Sequence, residues 1–159
     1  MKAMLIGASS AGKTTLIQRL QGETIHYQKT QATEYTDEYI DTVGEYVQVR
    51  TYWQSLTTIS HDADIICLVH DSSDDNFWFS AGIATKFSKP VIGIVTKTDK
   101  KESNTVQAIR YLELAGCKDI YCVSAFNDEG MNDLYEGMQS AIDKYKTENE
   151  HRYRNDYFD

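Results

Sequence analysis

Gly7-Ala8-Ser9-Ser10-Ala11-Gly12-Lys13-Thr14 stands between the apolar run Ala3-Met4-Leu5-Ile6 and an amphipathic stretch from Lys13 to Leu20. The octet has the form G-x-x-x-x-G-K-[ST], and it falls between a strand and a helix, the context that gives this pattern its meaning. Four specified positions coincide by accident in a chain of this size well under roughly once in a hundred cases. Small residues and glycines let the backbone curl so that successive N–H groups point inward, and the first turn of the helix adds unpaired donors and a positive dipole end. That cradle fits a polyphosphate. Lys13 is expected to reach the β and γ phosphates as a point charge, and the Thr14 hydroxyl to ligate a Mg²⁺ that bridges them. Gly7, Ser9, Ser10, Ala11, Gly12, Lys13, Thr14 and Thr15 are the candidate phosphate-binding positions.

Outward from this loop, apolar runs alternate with amphipathic stretches along almost the whole chain. Strands are expected at Lys2–Ile6, in a short segment ending at Asp41, and at Ile65–His70, Val91–Thr96 and Ile120–Val123. Three of these are continuous apolar runs, as parallel strands covered on both faces require. Helices are expected at Lys13–Leu20, Tyr52–Ser60, Phe77–Phe87, Asn104–Leu114 and Met131 to about Tyr145, with Asn104 and Asn132 as N-caps. The fold class is therefore α/β, a doubly wound, mostly parallel sheet with helices on both faces. One domain spans 1–145, and 146–159, where the apolar stripe gives way to mixed charge, reads as a helix extension or a flexible tail.

The chain has 159 residues, 41% of them hydrophobic, enough for one core. With 16 Lys+Arg against 24 Asp+Glu the net charge is −8, so nucleic acid is not expected as a partner. The apolar opening is too short for a signal peptide or a membrane span, so a cytoplasmic protein without a membrane partner is expected. Cys67, Cys117 and Cys122 form no C-x-x-C pair, which points to reduced, mostly buried thiols.

Three further motifs follow in order. Asp41-Thr42-Val43-Gly44 has the form D-x-x-G, in which the carboxylate holds Mg²⁺ through water and the glycine N–H meets the γ phosphate. Thr96-Lys97-Thr98-Asp99 and Ser124-Ala125 end the later strands, where a doubly wound sheet binds its ligands. Together with the phosphate loop, these residues resemble the small Ras-like GTPase superfamily, with its N-K-x-D and S-A-[KL] motifs, over roughly Met1 to Tyr145. The resemblance implies a Ras-like P-loop NTPase fold. It also implies that Asp99 pairs with guanine, that Lys97 lies along the base, and that the Ala125 N–H donates to guanine O6, with Ser124 beside it. Thr96 replaces the asparagine of the superfamily motif and removes an amide that braces the loop.

More narrowly, the phosphate loop with His26-Tyr27-Gln28-Lys29-Thr30-Gln31-Ala32, Ile40-Asp41-Thr42-Val43-Gly44-Glu45-Tyr46 and Lys89-Pro90-Val91-Ile92-Gly93-Ile94-Val95-Thr96-Lys97-Thr98-Asp99 is similar to the ethanolamine utilisation protein P and propanediol utilisation protein V family. That resemblance implies a role beside bacterial microcompartments and binding of GTP or GDP, with ATP or ADP as the other option. A microcompartment shell or enzyme protein is the implied partner.

The interval from Lys13 to Asp41 is short for a Ras-like protein, so the first switch segment is trimmed. Thr30 is the chosen hydroxyl to close over Mg²⁺ with Thr14 and Asp41, Thr33 the fallback, and a solvent-facing threonine the plain alternative. Glu45 stands where Ras-like enzymes keep the glutamine that orients water. Lys13 and Glu45 are the catalytic candidates, and slow hydrolysis is expected because a carboxylate repels the γ phosphate. Arg50 is a candidate for an arginine acting in cis. Of 11 tyrosines, Tyr27, Tyr35, Tyr39, Tyr46 and Tyr52, with Trp53, cluster in the switch third, either as a docking surface or as cover for a bare sheet edge. Phe77-Trp78-Phe79 reads as core, and the four histidines as surface or strand-end residues. A monomer is expected. Three functions compete: a nucleotide switch with slow GTP hydrolysis, an ATP-dependent kinase of a small carboxylate such as acetate, and a scaffold with a residual nucleotide site.

Overall fold

Strand β1 (Ala3–Ile6) turns Ala3 and Leu5 to one side and Met4 and Ile6 to the other, and all four are buried. A strand apolar on both faces needs cover on both. In the computed structural model, which describes residues 1–158 and side chains through Arg152, it lies near the middle of a six-stranded sheet. It pairs in parallel with β3 (Tyr39–Asp41) and β4 (Ile65–Asp71), Ala3 standing opposite both Tyr39 and Ile65. β5 (Val91–Thr96) and β6 (Ile120–Cys122) continue the parallel array beyond β4. A two-residue edge strand, β2 (Glu34–Tyr35), pairs antiparallel with β3 and completes the order β2-β3-β1-β4-β5-β6.

Leu16 and Ile17 of α1 (Lys13–Leu20) pack with Leu134, Met138 and Ile142 of α5 (Met131–Phe158) on the face that carries Leu5, Cys67 and Ile94. On the other face, Leu56 of α3 (Trp53–Ile59) and Ala108 and Leu112 of α4 (Thr105–Ala115) meet Met4, Ile66 and Leu68. A four-residue helix, α2 (Glu45–Gln48), adds Val47 to this second core. The architecture is the expected α/β one, a Ras-like P-loop fold with a doubly wound, mostly parallel sheet.

Some elements differ from the reading. The segment Phe77–Phe87 forms no α-helix; only Ile83–Lys86 turns, as a 3₁₀ helix. Its start is held instead by side chains: the Asp74 carboxylate accepts from the Asn76 N–H at 3.0 Å and from the Trp78 indole at 2.7 Å. The Gly82 N–H bonds the Leu114 carbonyl at 2.9 Å, which lays the segment along α4. Phe79 is nonetheless buried, and Phe77 and Trp78 pack against the core. Asn104 caps α4, accepting from Gln107 N–H at 3.1 Å. Asn132 does not cap α5, because that helix begins one residue earlier, at Met131. Of the two alternatives for the end of the chain, the backbone takes the helical one through 146–158; Asp159 and the side chains of 153–158 lie outside the described residues. Cys67 and Cys117 are buried, whereas Cys122 is exposed. Among the described residues, no helix is long and apolar enough to cross a membrane.

Leu112 is fully buried between α4 and β5. Leu112→Ala is expected to lower the unfolding free energy by about 2–5 kcal/mol, measured by urea denaturation.

Candidate functional site

β1, β3, β5 and β6 all run parallel, so the motifs that follow them emerge at one edge of the sheet. There they bound a cavity of about 270 Å³ whose wall includes Ser10, Lys13, Thr14, Gly44, Lys97 and Asp99. A smaller one of about 40 Å³, walled by Thr96, Ala125 and Phe126 among others, shares Lys97 and Asp99 with it.

Gly12 takes a left-handed conformation, φ 96°, at the N-cap of α1, and no side chain caps that end of the helix. The Lys13 side chain folds back over the loop, donating to the Gly7 carbonyl at 2.9 Å and the Ala8 carbonyl at 3.1 Å. Burial pulls its ammonium down to a pKa of about 8, against the opposing charges of Asp41 and Glu45.

Beside Lys13, three oxygen-bearing side chains meet. The Thr14 hydroxyl donates to Asp41 Oδ2, the Thr30 hydroxyl donates to the same oxygen at 3.1 Å, and the two hydroxyl oxygens are 2.8 Å apart. Asp41 Oδ1 is buried and has no hydrogen-bond partner among the described residues. An orphaned carboxylate oxygen next to two hydroxyls is a hard-oxygen donor set that suits a small divalent cation. No group of three His, Cys, Asp or Glu residues is arranged for a metal among the described residues. Mg²⁺ held jointly with phosphates needs only one or two carboxylates, so the donor set still fits it. The structure thus brings Thr30, not Thr33, to Thr14 and Asp41; the Thr33 hydroxyl is buried without a partner among the described residues.

The motif glycine Gly44 presses on the loop: a Cβ there would lie 2.3 Å from Ser9 N. Glu45, next in the chain, is paired with Lys29, Oε1 to Nζ at 2.8 Å. The Lys29 hydrogen bond holds the Glu45 carboxyl below its ordinary range, and Glu45 raises Lys29 in return.

At the far end, Thr96 Oγ1 donates to the Ala11 carbonyl at 2.6 Å. Replacing asparagine here therefore does not leave the loop unbraced: a shorter hydroxyl makes the connection because β5 ends directly beneath it. The Lys97 ammonium donates to the Ser10 carbonyl and, at 2.6 Å, to Asp71 Oδ2. Burial alone would raise the Asp71 carboxyl, but hydrogen bonds from Lys97 and Ser73 prevail and hold it below its ordinary range. Ser124 Oγ donates to Asp99 Oδ1 at 2.7 Å, which orients that exposed carboxylate. Arg19 fixes the following turn through the Ala125 carbonyl at 2.6 Å and the Phe126 carbonyl at 3.2 Å.

Arg19, Lys29, Asp71 and Phe126 were not singled out in the sequence. Asp71 closes an apolar strand just as the motif residues do, and Phe126 follows Ser124-Ala125 where the superfamily pattern has lysine or leucine; both signals were legible. Arg50 is exposed and absent from the cavity wall. The switch aromatics divide: Tyr27, Tyr35 and Tyr52 are exposed, Tyr39 is buried, and Tyr46 and Trp53 pack on the α3–α4 core. His70 is buried, its ring Nε2 3.0 Å from the Asp74 carbonyl oxygen.

A family model described as "Ethanolamine utilisation - propanediol utilisation", PduV-EutP, matches residues 1–140. The chain belongs to this family. It is thereby tied to ethanolamine and propanediol utilisation. It is 37% identical to the propanediol utilization protein PduV of Citrobacter freundii over 135 residues, 84% of the chain and 90% of that relative. It is 38% identical over 111 residues to the "Probable acetate kinase EutP" of Escherichia coli (strain K12), covering 69% of each. The Salmonella typhimurium protein of the same name is 30% identical over 152 residues, 93% of the chain and 95% of the relative.

Thr96→Val leaves the Ala11 carbonyl without its hydroxyl donor and is expected to destabilise the protein by about 1–3 kcal/mol. Thr96→Ser, which keeps the donor, should recover most of that loss in thermal unfolding.

Proposed function

We propose that the protein binds a nucleoside triphosphate with Mg²⁺ as a small P-loop nucleotide switch serving ethanolamine or propanediol utilisation, hydrolysing the nucleotide slowly. The observation that carries this reading is the buried, unpartnered Asp41 Oδ1, set beside the Thr14 and Thr30 hydroxyls in the same region as the phosphate loop. Lys13 and the N-terminus of α1 supply the positive field for the β and γ phosphates. Thr14, Thr30 and Asp41 are the residues to hold Mg²⁺, which when bound neutralises charge on the phosphate oxygens. Closing Thr30 and Gly44 on a terminal phosphate would change the neighbouring Tyr27 and Tyr52 surface, where a microcompartment-related protein is the proposed partner, in the cytoplasm.

The base end favours guanine. Asp99, oriented by Ser124, offers a carboxylate that two guanine donors can satisfy and that adenine leaves bare. Lys97, Ala125 and Phe126 line the same small cavity as Asp99, and Phe126, 66% exposed, offers an apolar wall.

A second reading, phosphoryl transfer from ATP to a small carboxylate, is favoured by Glu45 in place of a water-orienting glutamine and by the name of the acetate kinase relatives. Both readings share the same phosphate end. They part at the base and at the acceptor.

Calorimetric titration with GDP, a non-hydrolysable GTP analogue and the adenine equivalents, with and without Mg²⁺, separates them. The switch reading expects guanine nucleotides to bind at least tenfold more tightly, about 1.4 kcal/mol, with the preference lost in Asp99→Ala. Equal affinity for both bases, unchanged by Asp99→Ala and joined by acetate-dependent ADP formation, would establish the kinase instead.

A further inference from the structure

Residues 21–33 form no helix or strand, yet Lys29 within them stands in the cavity wall with Lys13 and Gly44. Its ammonium is paired with Glu45 Oε1 at 2.8 Å, while Glu45 Oε2 is buried without a partner among the described residues. Glu45 directly follows Gly44, which is packed on the loop at Ser9, so the pair sits on the phosphate-loop side of the site. Thr30, next to Lys29, is hydrogen-bonded to Asp41 and in contact with Thr14, which fixes where Lys29 leaves the backbone.

From this arrangement we infer that Lys29 and Glu45 form a latch that reads the terminal phosphate, Lys29 passing from Glu45 to the γ phosphate when a triphosphate binds. The inference rests on the nucleotide reading above. A triphosphate brings more negative charge than a diphosphate up to a wall that already holds the Glu45 carboxylate. Lys13 is engaged with two loop carbonyls, and Lys97 with Ser10 and Asp71. Of these three lysines, Lys29 is the one whose only polar partner among the described residues is a partly solvent-exposed carboxylate. Its side chain is 59% exposed and that of Glu45 41%, and an ion pair so open to water contributes little stability, so it exchanges readily. A phosphate, with more charge and three acceptor oxygens, is the stronger partner for an ammonium. Glu45 then acts as an internal competitor that lowers triphosphate affinity, and Lys29 is what distinguishes a triphosphate from a diphosphate.

The test is nucleotide titration of the full chain with Mg²⁺, using the di- and non-hydrolysable triphosphate of whichever base the wild type binds more tightly. Lys29→Met should weaken the triphosphate about tenfold and change the diphosphate by less than about twofold. Glu45→Gln should strengthen the triphosphate several-fold and leave the diphosphate unchanged. Melting curves of both variants, Lys29 being exposed and Glu45 partly so, should overlay the wild type. Loss of both nucleotides alike in Lys29→Met, no change in either, or weaker triphosphate binding by Glu45→Gln overturns the latch and leaves the nucleotide site standing. A wild type that binds no nucleotide overturns the site itself.

Discussion

A buried cation organises this edge of the molecule. The Lys13 ammonium lies inside the curl of its own loop, bonded to the Gly7 and Ala8 carbonyls, and burial depresses its pKa to about 8. Such a placement is costly unless oxygen atoms surround it, and the loop supplies them only while it keeps its curl. The rest of the site is arranged to keep it. Gly44 closes on Ser9 from the β3 side, Thr96 holds the Ala11 carbonyl, and Lys97 holds that of Ser10. Residues from the ends of two strands, β3 and β5, thus converge on the loop that follows β1, and each is one that a small shift would disengage.

The same convergence resolves an apparent conflict of charge. The chain is acidic overall, with a net charge of −8, yet Lys13, Lys29, Lys97 and Lys100 all line one cavity. Focusing positive charge in a cleft on an acidic body favours a compact anion over an extended polyanion. Membership of the ethanolamine and propanediol utilisation family places the chain in a metabolic setting, and the cavity supplies the chemistry proposed for it. The switch and kinase readings use the same phosphate-binding half. What differs between them is the acceptor that meets the terminal phosphate, water or a carboxylate, and therefore the role of Glu45 and Lys29.

Much of this was legible in the sequence because the motifs are local and short. A glycine-rich turn between an apolar strand and a helix carries its own geometry, and three continuous apolar runs call for a covered parallel sheet. Thr30, the threonine preferred over Thr33 in the sequence, is the one that meets Thr14 and Asp41. Phe77–Phe87 misled because its aromatic spacing mimics a helix while Asp74 and the packing against α4 hold it open. The consequence of Thr96 depended on how close β5 passes beneath Ala11, which no local pattern encodes. Lys29 was missed for a related reason: it is defined by a partner elsewhere in the chain, Glu45.

The central claim is that the backbone amides around Ser10 to Thr15 face and bind a polyphosphate. Amide chemical shifts of ¹⁵N-labelled protein, followed during titration with a non-hydrolysable triphosphate and Mg²⁺, test it most directly. The account predicts saturable shifts centred on Gly12, Lys13 and Thr14, extending to Thr30 and Gly44. Saturable binding that leaves those amides unmoved, with the shifts elsewhere on the surface, would contradict it.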